Sequence, residues 1–354
     1  MRRRPQTSTA GQRGAAILTA MLTVVLVATL ASAMLWQQWR GVEVESAQRS
    51  RVQAAWILTG ALDWARLILR EDARQGGADH LAEPWAVPLA PARLSTFLSA
   101  ERGQALVTEG DDAESEAFLA GHIVDLQARL NVTNLIDNGR LHQPTVAAWS
   151  RLFKHLNLPE QELLALTQSL LRAQASGAAA PASSASSASS ATAATAATAL
   201  LPQAVPELVW LGLSATTLQT LQPFITVLPE RTVVNLNTAP PEVLLASVKG
   251  LDMAQAQALV QARAARHMDT IMDADRLVGN PQVQFDSAEQ GVTSRFFSVT
   301  GQLRLGQTTL QEQSVLQRDG LQVKALSRVR EQVGADARPL QSPQIPQLTA
   351  CFHR

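Results

Sequence analysis

Six histidines, at positions 80, 122, 142, 155, 267 and 353, are the side chains best placed to move protons or hold metal near neutral pH. None stands in a His-x-x-x-His or His-x-Glu pair that would converge on one ion. The single cysteine, Cys351, excludes an internal disulfide framework and cysteine-based zinc knuckles. Gly-x-Ser-x-Gly, Walker and Gly-x-Gly-x-x-Gly patterns are missing, so the chain reads as a non-enzyme. One cluster remains: Glu109, Asp111, Asp112, Glu114 and Glu116. The plain reading is a solvated loop; calcium is the alternative, because hard cations take clustered carboxylate oxygens, but no EF-hand ligand order is present and no ligands are assigned.

A second chemistry to weigh is phosphate binding. Residues 233–265 read as a strand, a helix, a tight turn at Lys249-Gly250-Leu251-Asp252 and a second helix from Met253, with Thr238 as N-cap of the first helix and Pro240 and Pro241 in its first turn. The unit resembles helix-hairpin-helix DNA-binding modules, including those of DNA-uptake proteins, which hold backbone phosphate on main-chain amides of a glycine-rich turn. Here the turn has one glycine, Asp252 brings the wrong sign, and Lys249, Arg263 and Arg266 are the cations on offer. The 354-residue chain balances 30 Lys+Arg against 30 Asp+Glu and is 46% apolar and 17% charged. Such a composition builds a core and attracts no polyanion, so the unit is read as protein-contacting and no nucleic acid is expected.

The elements that would carry any function begin with the N-terminus. No charge lies between Arg13 and Arg40, and Ala15 to Trp36 is apolar or small throughout. As a helix this segment rises about 33 Å, enough to cross a bilayer. Arg2, Arg3, Arg4 and Arg13 precede it, which keeps the N-terminus cytoplasmic and sends the bulk of the chain across, with Trp36 and Trp39 as an outer aromatic anchor. A cleaved secretory signal is the competing reading, with Ala31-Ser32-Ala33 as its site, but the apolar run is too long for one. The helix then continues from Val42 to about Arg70, with Ala55, Leu58, Leu62, Ala65 and Leu69 on one face, and ends at Gln75-Gly76-Gly77.

Further on, residues 78–121 read as loop, and Val124, Leu126, Ala128 and Leu130 alternate with polar residues as a strand would. Helices are expected at 144–153, 160–173, 206–213 and 215–222, and the Ala/Ser/Thr tract 174–199 as a flexible loop. Alternation returns at Phe297, Val299, Leu303 and Leu305, with turns at Gly306-Gln307 and Asp319-Gly320 separating two further strands. A sheet whose strands lie so far apart in sequence implies a domain inserted between them.

Gln12-Arg13-Gly14 followed by Ala15-Ala16-Ile17-Leu18 resembles the class III leader of type IV pilins and type II secretion pseudopilins. That resemblance implies cutting by a prepilin peptidase between Gly14 and Ala15, N-methylation of Ala15, and retention of the apolar helix in the mature chain. The family's major subunits carry glutamate at the fifth mature position, where this chain has Thr19. That glutamate is held to neutralise the terminal amine of the subunit above, so a subunit with none above it has no need of it.

Asp125, Arg129, Leu130, Asn131 and Asn134 resemble one signature of the protein K family of these systems, with Ala128 and Thr133 replacing its usual Gly and Asn. Asn235, Asn237, Thr238, Ala239, Glu242, Val243 and Leu244 match a second, and Arg318 to Val323 a third. The chain is therefore identified by resemblance as a minor pseudopilin of the K family. This implies an α+β pilin-like fold: a long N-terminal helix packed on a small antiparallel sheet, with a large inserted α-helical domain containing the helix-hairpin-helix, or SAM-like, unit. The expected parts are a leader at 1–14, the N-terminal helix at 15–72, a first pilin-like part at 73–136, the insert at 137–285, C-terminal strands at 286–330 and a tail at 331–354. The implied partners are the I and J minor pseudopilins, the major pseudopilin and the prepilin peptidase. The implied location is the bacterial inner membrane, single-pass, with the bulk in the periplasm and later at the pseudopilus tip.

Overall fold

The structure is a computed structural model and describes residues 12–94, 117–178, 200–305 and 308–333. The acidic run 109–116, residues 1–11 of the expected leader, the expected turn at 306–307 and Cys351 lie outside the described residues. Helix α1 (Gln12–Gln75) runs for 64 residues. The chain divides into two units, one through Ile57 and one from Leu58.

In the first unit α1 is a rod whose apolar side chains are bare: Leu18 and Leu22 are each 70% exposed. It carries the span long and apolar enough to cross a membrane, the only one among the described residues. Thr23, Thr29 and Ser32 return their hydroxyls to carbonyls three or four residues back, so the rod presents few unmet donors to a medium without water.

In the second unit, Leu58, Leu62, Ala65 and Leu69 are buried, at the helical spacing the sequence shows. Strands β1 (Leu89–Arg93) and β2 (Ala117–Asp125) follow, so the stretch 78–121, read as loop, contains one strand and the first part of a second. The chain then leaves the sheet. Short strands β3 (Leu130–Asn131), β4 (Ile136–Asp137) and β5 (Arg140–Leu141) lead to helices α2 (Gln143–His155) and α3 (Glu160–Ala178). Helix α3 thus extends into the Ala/Ser/Thr tract, whose residues 179–199 are outside the described residues.

Residues Val205–Leu211 form a 3-10 helix rather than the expected α-helix, closing at Gly212. Helix α4 (Ala215–Leu221) is capped by Ser214, whose hydroxyl accepts the Thr217 amide. Strands β6 (Ile225–Thr226) and β7 (Val234–Asn235) precede helices α5 (Pro241–Ser247), α6 (Met253–Ala265) and α7 (Ile271–Val278). Asp252 and Thr270 each start a helix with a capping box. Strand β8 (Gln290–Gly291) then pairs in parallel with β7, and β3 with β6.

The chain re-enters the sheet through β9 (Phe296–Leu305), β10 (Thr308–Asp319) and β11 (Gln322–Val333). Strand order is β1-β2-β9-β10-β11, all antiparallel, so β2 pairs with a strand that follows the whole helical insert. Gly121 of β2 is level with Gly301 of β9, and a Cβ on Gly301 would sit 3.2 Å from Leu58 Cδ2, so glycine lets α1 approach the sheet closely. Under that half of α1, Leu62 and Leu69 pack with Trp85, Phe297, Leu316 and Val323. The insert has a larger core of its own around Trp149, Leu152, Phe153, Leu166 and Leu244. Each fully buried side chain of this size contributes roughly 1.5–3 kcal/mol.

Candidate functional site

The three signatures, distant in sequence, meet in one buried polar junction where the sheet gives way to the insert. Asp125, the last residue of β2, is 2% exposed and is ringed by donors. Its Oδ1 accepts the Gln127 amide at 2.7 Å, and its Oδ2 accepts Asn235 Nδ2 at 3.0 Å, Thr238 Oγ1 at 2.6 Å and Ser294 Oγ at 2.6 Å. Burial pushes its carboxyl above the ordinary range, while these donors pull the other way.

Asn235 also donates to the Asp79 carbonyl, and its Oδ1 accepts the Asn237 amide. Asn237 in turn clamps the backbone of Met268 through both its side-chain atoms, at 2.9 Å each. Asn131 and Asn134 bind the stretch 228–232: Asn131 Oδ1 accepts the Leu228 amide and Asn134 Nδ2 donates to the Thr232 carbonyl. Thr133, standing where the signature has Asn, donates its hydroxyl to the Leu228 carbonyl at 2.6 Å. Glu242 is buried on α5, and its Oε2 has no hydrogen-bond partner among the described residues.

Thr238 is therefore not a helix cap. Pro240 is the N-cap of α5, and the Thr238 hydroxyl is spent on Asp125 because the chain there runs beside the end of β2.

Arg318, from the third signature, closes the junction from β10. Its guanidinium donates to Asp72 Oδ2 at 2.5 Å, to both oxygens of Asp79 at 2.5 and 2.7 Å, and to the Ser294 carbonyl at 2.8 Å. It also lies 4.9 Å from the centre of the Phe297 ring. Its side chain is 10% exposed, those of Asp72 and Asp79 11% and 4%. Burial raises both carboxyls and Arg318 opposes the rise.

Asp79, Ser294, Gln127 and Asp72 complete the junction and lie outside the signatures read from the sequence. Asp79 and Ser294 lie in loops, Gln127 in a 3-10 turn and Asp72 in the last turns of α1, and nothing local marks them. Asp72, Asp79 and Glu83 could bring one oxygen each within 4.8 Å of one another. With Arg318 already donating to two of the three, the cluster has its counter-charge and does not fit calcium.

Asp125→Asn should lower stability by about 1–3 kcal/mol, since it turns an acceptor-only group into one whose amide faces three donors. Thermal unfolding followed by tryptophan fluorescence would show it. An unchanged midpoint would mean that the junction holds nothing together.

The residues expected to be processed belong to the first unit. Gly14, Ala15 and Thr19 are all in α1. The Thr19 hydroxyl donates to the carbonyls of Ala15 and Ala16, both at 3.0 Å, so the residue satisfies itself within its own helix and asks for no charged partner.

The α5–α6 hairpin turns its loop toward protein. Gly250, at φ +83°, would place a Cβ 2.4 Å from the Gln282 carbonyl, and Gln284 donates its amide to the Lys249 carbonyl. The side chain of Asp252 is occupied by its helix cap and Arg263 donates to the Leu236 carbonyl. Burial lowers the pKa of Arg263 to about 10. A turn covered in this way offers a phosphate little backbone.

A long N-terminal helix laid on an antiparallel sheet, interrupted by a helical insert, defines a pilin-like protein. The crystal structure of the GspK-GspI-GspJ complex from the enterotoxigenic Escherichia coli type 2 secretion system contains a chain of the same fold, with a TM-score of 0.57 at 18% identity, over 80% of this chain and 98% of that one. Two family models, both described as type II secretion system protein K, match residues 128–230 and 234–294. The type II secretion system protein K of Pseudomonas aeruginosa is 27% identical over 92% of this chain and 94% of its own length; that of Klebsiella pneumoniae is 29% identical over 87% and 93%. Both family models and both relatives are protein K of a type II secretion system, and this chain is similar to that family over most of its length.

Proposed function

We propose that this minor pseudopilin sits at the tip of the periplasmic pseudopilus, where with I- and J-type companions it primes filament assembly for export across the outer membrane. In this reading residues 1–14 are a leader removed by the prepilin peptidase, Ala15 becomes an N-methylated terminus, and the rod first spans the inner membrane and then joins the major pseudopilin in the filament core. Thr19 carries the proposal: at the fifth mature position it is uncharged and bonded within its own helix, which suits a subunit with no terminal amine above it to neutralise. The helical insert supports it by bulk, since a subunit carrying so large a domain is hard to repeat in a tight helical stack. The solved relative was crystallised with GspI and GspJ, which points to companions of the same kind here. The part is structural, and the residues are read as binding rather than catalytic.

Co-expression of the full chain with I- and J-type pseudopilins, followed by purification in detergent, tests this. A stable ternary complex is expected. A chain that elutes alone would overturn the reading, and salt-sensitive retention on DNA would favour the uptake-type module instead.

A further inference from the structure

Beyond the junction, one contact ties the turn after α1 to the end of α6 without a backbone hydrogen bond between them. The rings of His80 and His267 stack with centroids 3.9 Å apart and planes 13° from parallel. On either side the chain is pinned. The Asp79 amide donates to the Val292 carbonyl and its carboxylate holds Arg318, while Met268 is held at both backbone atoms by Asn237. The stack is thus the adjustable part of an otherwise fixed seam. Face-to-face rings direct their nitrogen lone pairs in near-parallel planes, so the pair does not converge on a metal.

We propose that the His80–His267 stack is a proton-sensitive clasp, closed while at most one ring is charged and released when both are. Two like charges at this separation repel strongly even under a surface dielectric. The groups around the pair decide which ring charges first. His267 Nε2 lies 3.1 Å from Asp269 Oδ1, and Arg266 contacts the same carboxylate at 3.7 Å. His80 Nδ1 accepts the Ala82 amide at 3.3 Å, and its Nε2 is 4.0 Å from Glu83 Oε1. Asp72 and Asp79 also face His80 and share Arg318 as counter-charge, while Arg263 of α6 and Arg266 just past its end line the same cavity.

Asp269 stands ready to pair with a charged His267 ring, whereas a proton arriving on His80 must go to Nδ1, where it displaces the Ala82 amide. Burial, and then the charge of His267, hold the His80 imidazole below its ordinary range, with the nearby carboxylates opposing. A histidine depressed on folding binds fewer protons in the native state, so its contribution is intact above the unfolded value near 6.5 and is lost as pH falls below it.

Ring proton–carbon NMR of the full chain in detergent micelles, titrated from pH 8 to pH 4.5, tests the clasp. We expect a His80 midpoint below the ordinary value, and His267→Asn to raise its proton affinity by about threefold or more, as coupled sites require. The aromatic variant His80→Phe keeps a stack but carries no charge, so its melting temperature should match that of the parent at pH 8 and exceed it at pH 5. A His80 midpoint at the ordinary value, or one unmoved by His267→Asn, would overturn the proposal. So would a His80→Phe variant that melts in parallel with the parent across the range.

Discussion

Arg318→Met should cost the folded protein about 3–5 kcal/mol, the range seen when one partner of a buried ion pair is removed. The loss is more than one hydrogen bond. The guanidinium is the counter-charge for Asp72 and Asp79, and it also satisfies the Ser294 carbonyl and lies against the Phe297 ring. Methionine fills similar volume but leaves two carboxylates facing each other in a site that already raises their pKa values. Arg318→Lys keeps the charge without the planar fork, cannot reach all three acceptors at once, and should fall between. Arg276→Met is the control: that arginine is 74% exposed, and its pair with Asp273 is worth at most about 1 kcal/mol. Urea unfolding of the three variants orders them, and an Arg318→Met midpoint no lower than the control would refute the role given to the junction.

Gly14→Asp should abolish maturation. Under the proposed processing, the peptidase must bring the bond after Gly14 into its cleft, and a side chain there occupies the space that glycine leaves open. The consequence is physical as well as enzymatic. An uncut chain keeps Arg2, Arg3, Arg4 and Arg13 ahead of the apolar rod. Placing each arginine at the bilayer centre costs about 2.5–3.5 kcal/mol, so the uncut rod stays in the membrane. Immunoblotting should show only the longer species, and secretion should fail. Normal processing of Gly14→Asp would remove the leader from the account.

The rod and the buried face of its second half were legible because both rest on local periodicity: Leu58, Leu62, Ala65 and Leu69 are spaced for a helix and are buried as one. Strands β9 to β11 showed themselves by alternation. The other side of the sheet did not. In β2, Leu119 and Ala120 are both buried although they point to opposite faces, so alternation is lost. The alternation at 124–130 belongs instead to the end of that strand and a 3-10 turn, in which Leu126, Gln127 and Ala128 are all buried. Gln127 lies inside because its amide reaches the Val233 carbonyl of the insert, and no strand pattern encodes that.

The junction was half legible. Asp125, Asn235, Thr238 and Arg318 stood out as signature residues, but their shared purpose did not, because Asp79 and Ser294 reach them only through the fold. The same holds for His80 and His267, two unremarkable histidines until the chain stacks them.

The start of the mature chain tests the central claim most directly. Mass spectrometry of the N-terminal peptide, from cells with and without the prepilin peptidase, should find a methylated Ala15 in the first case and the intact leader in the second. A mature chain beginning near Met34, or one still starting at Met1 in the presence of the peptidase, would contradict the account.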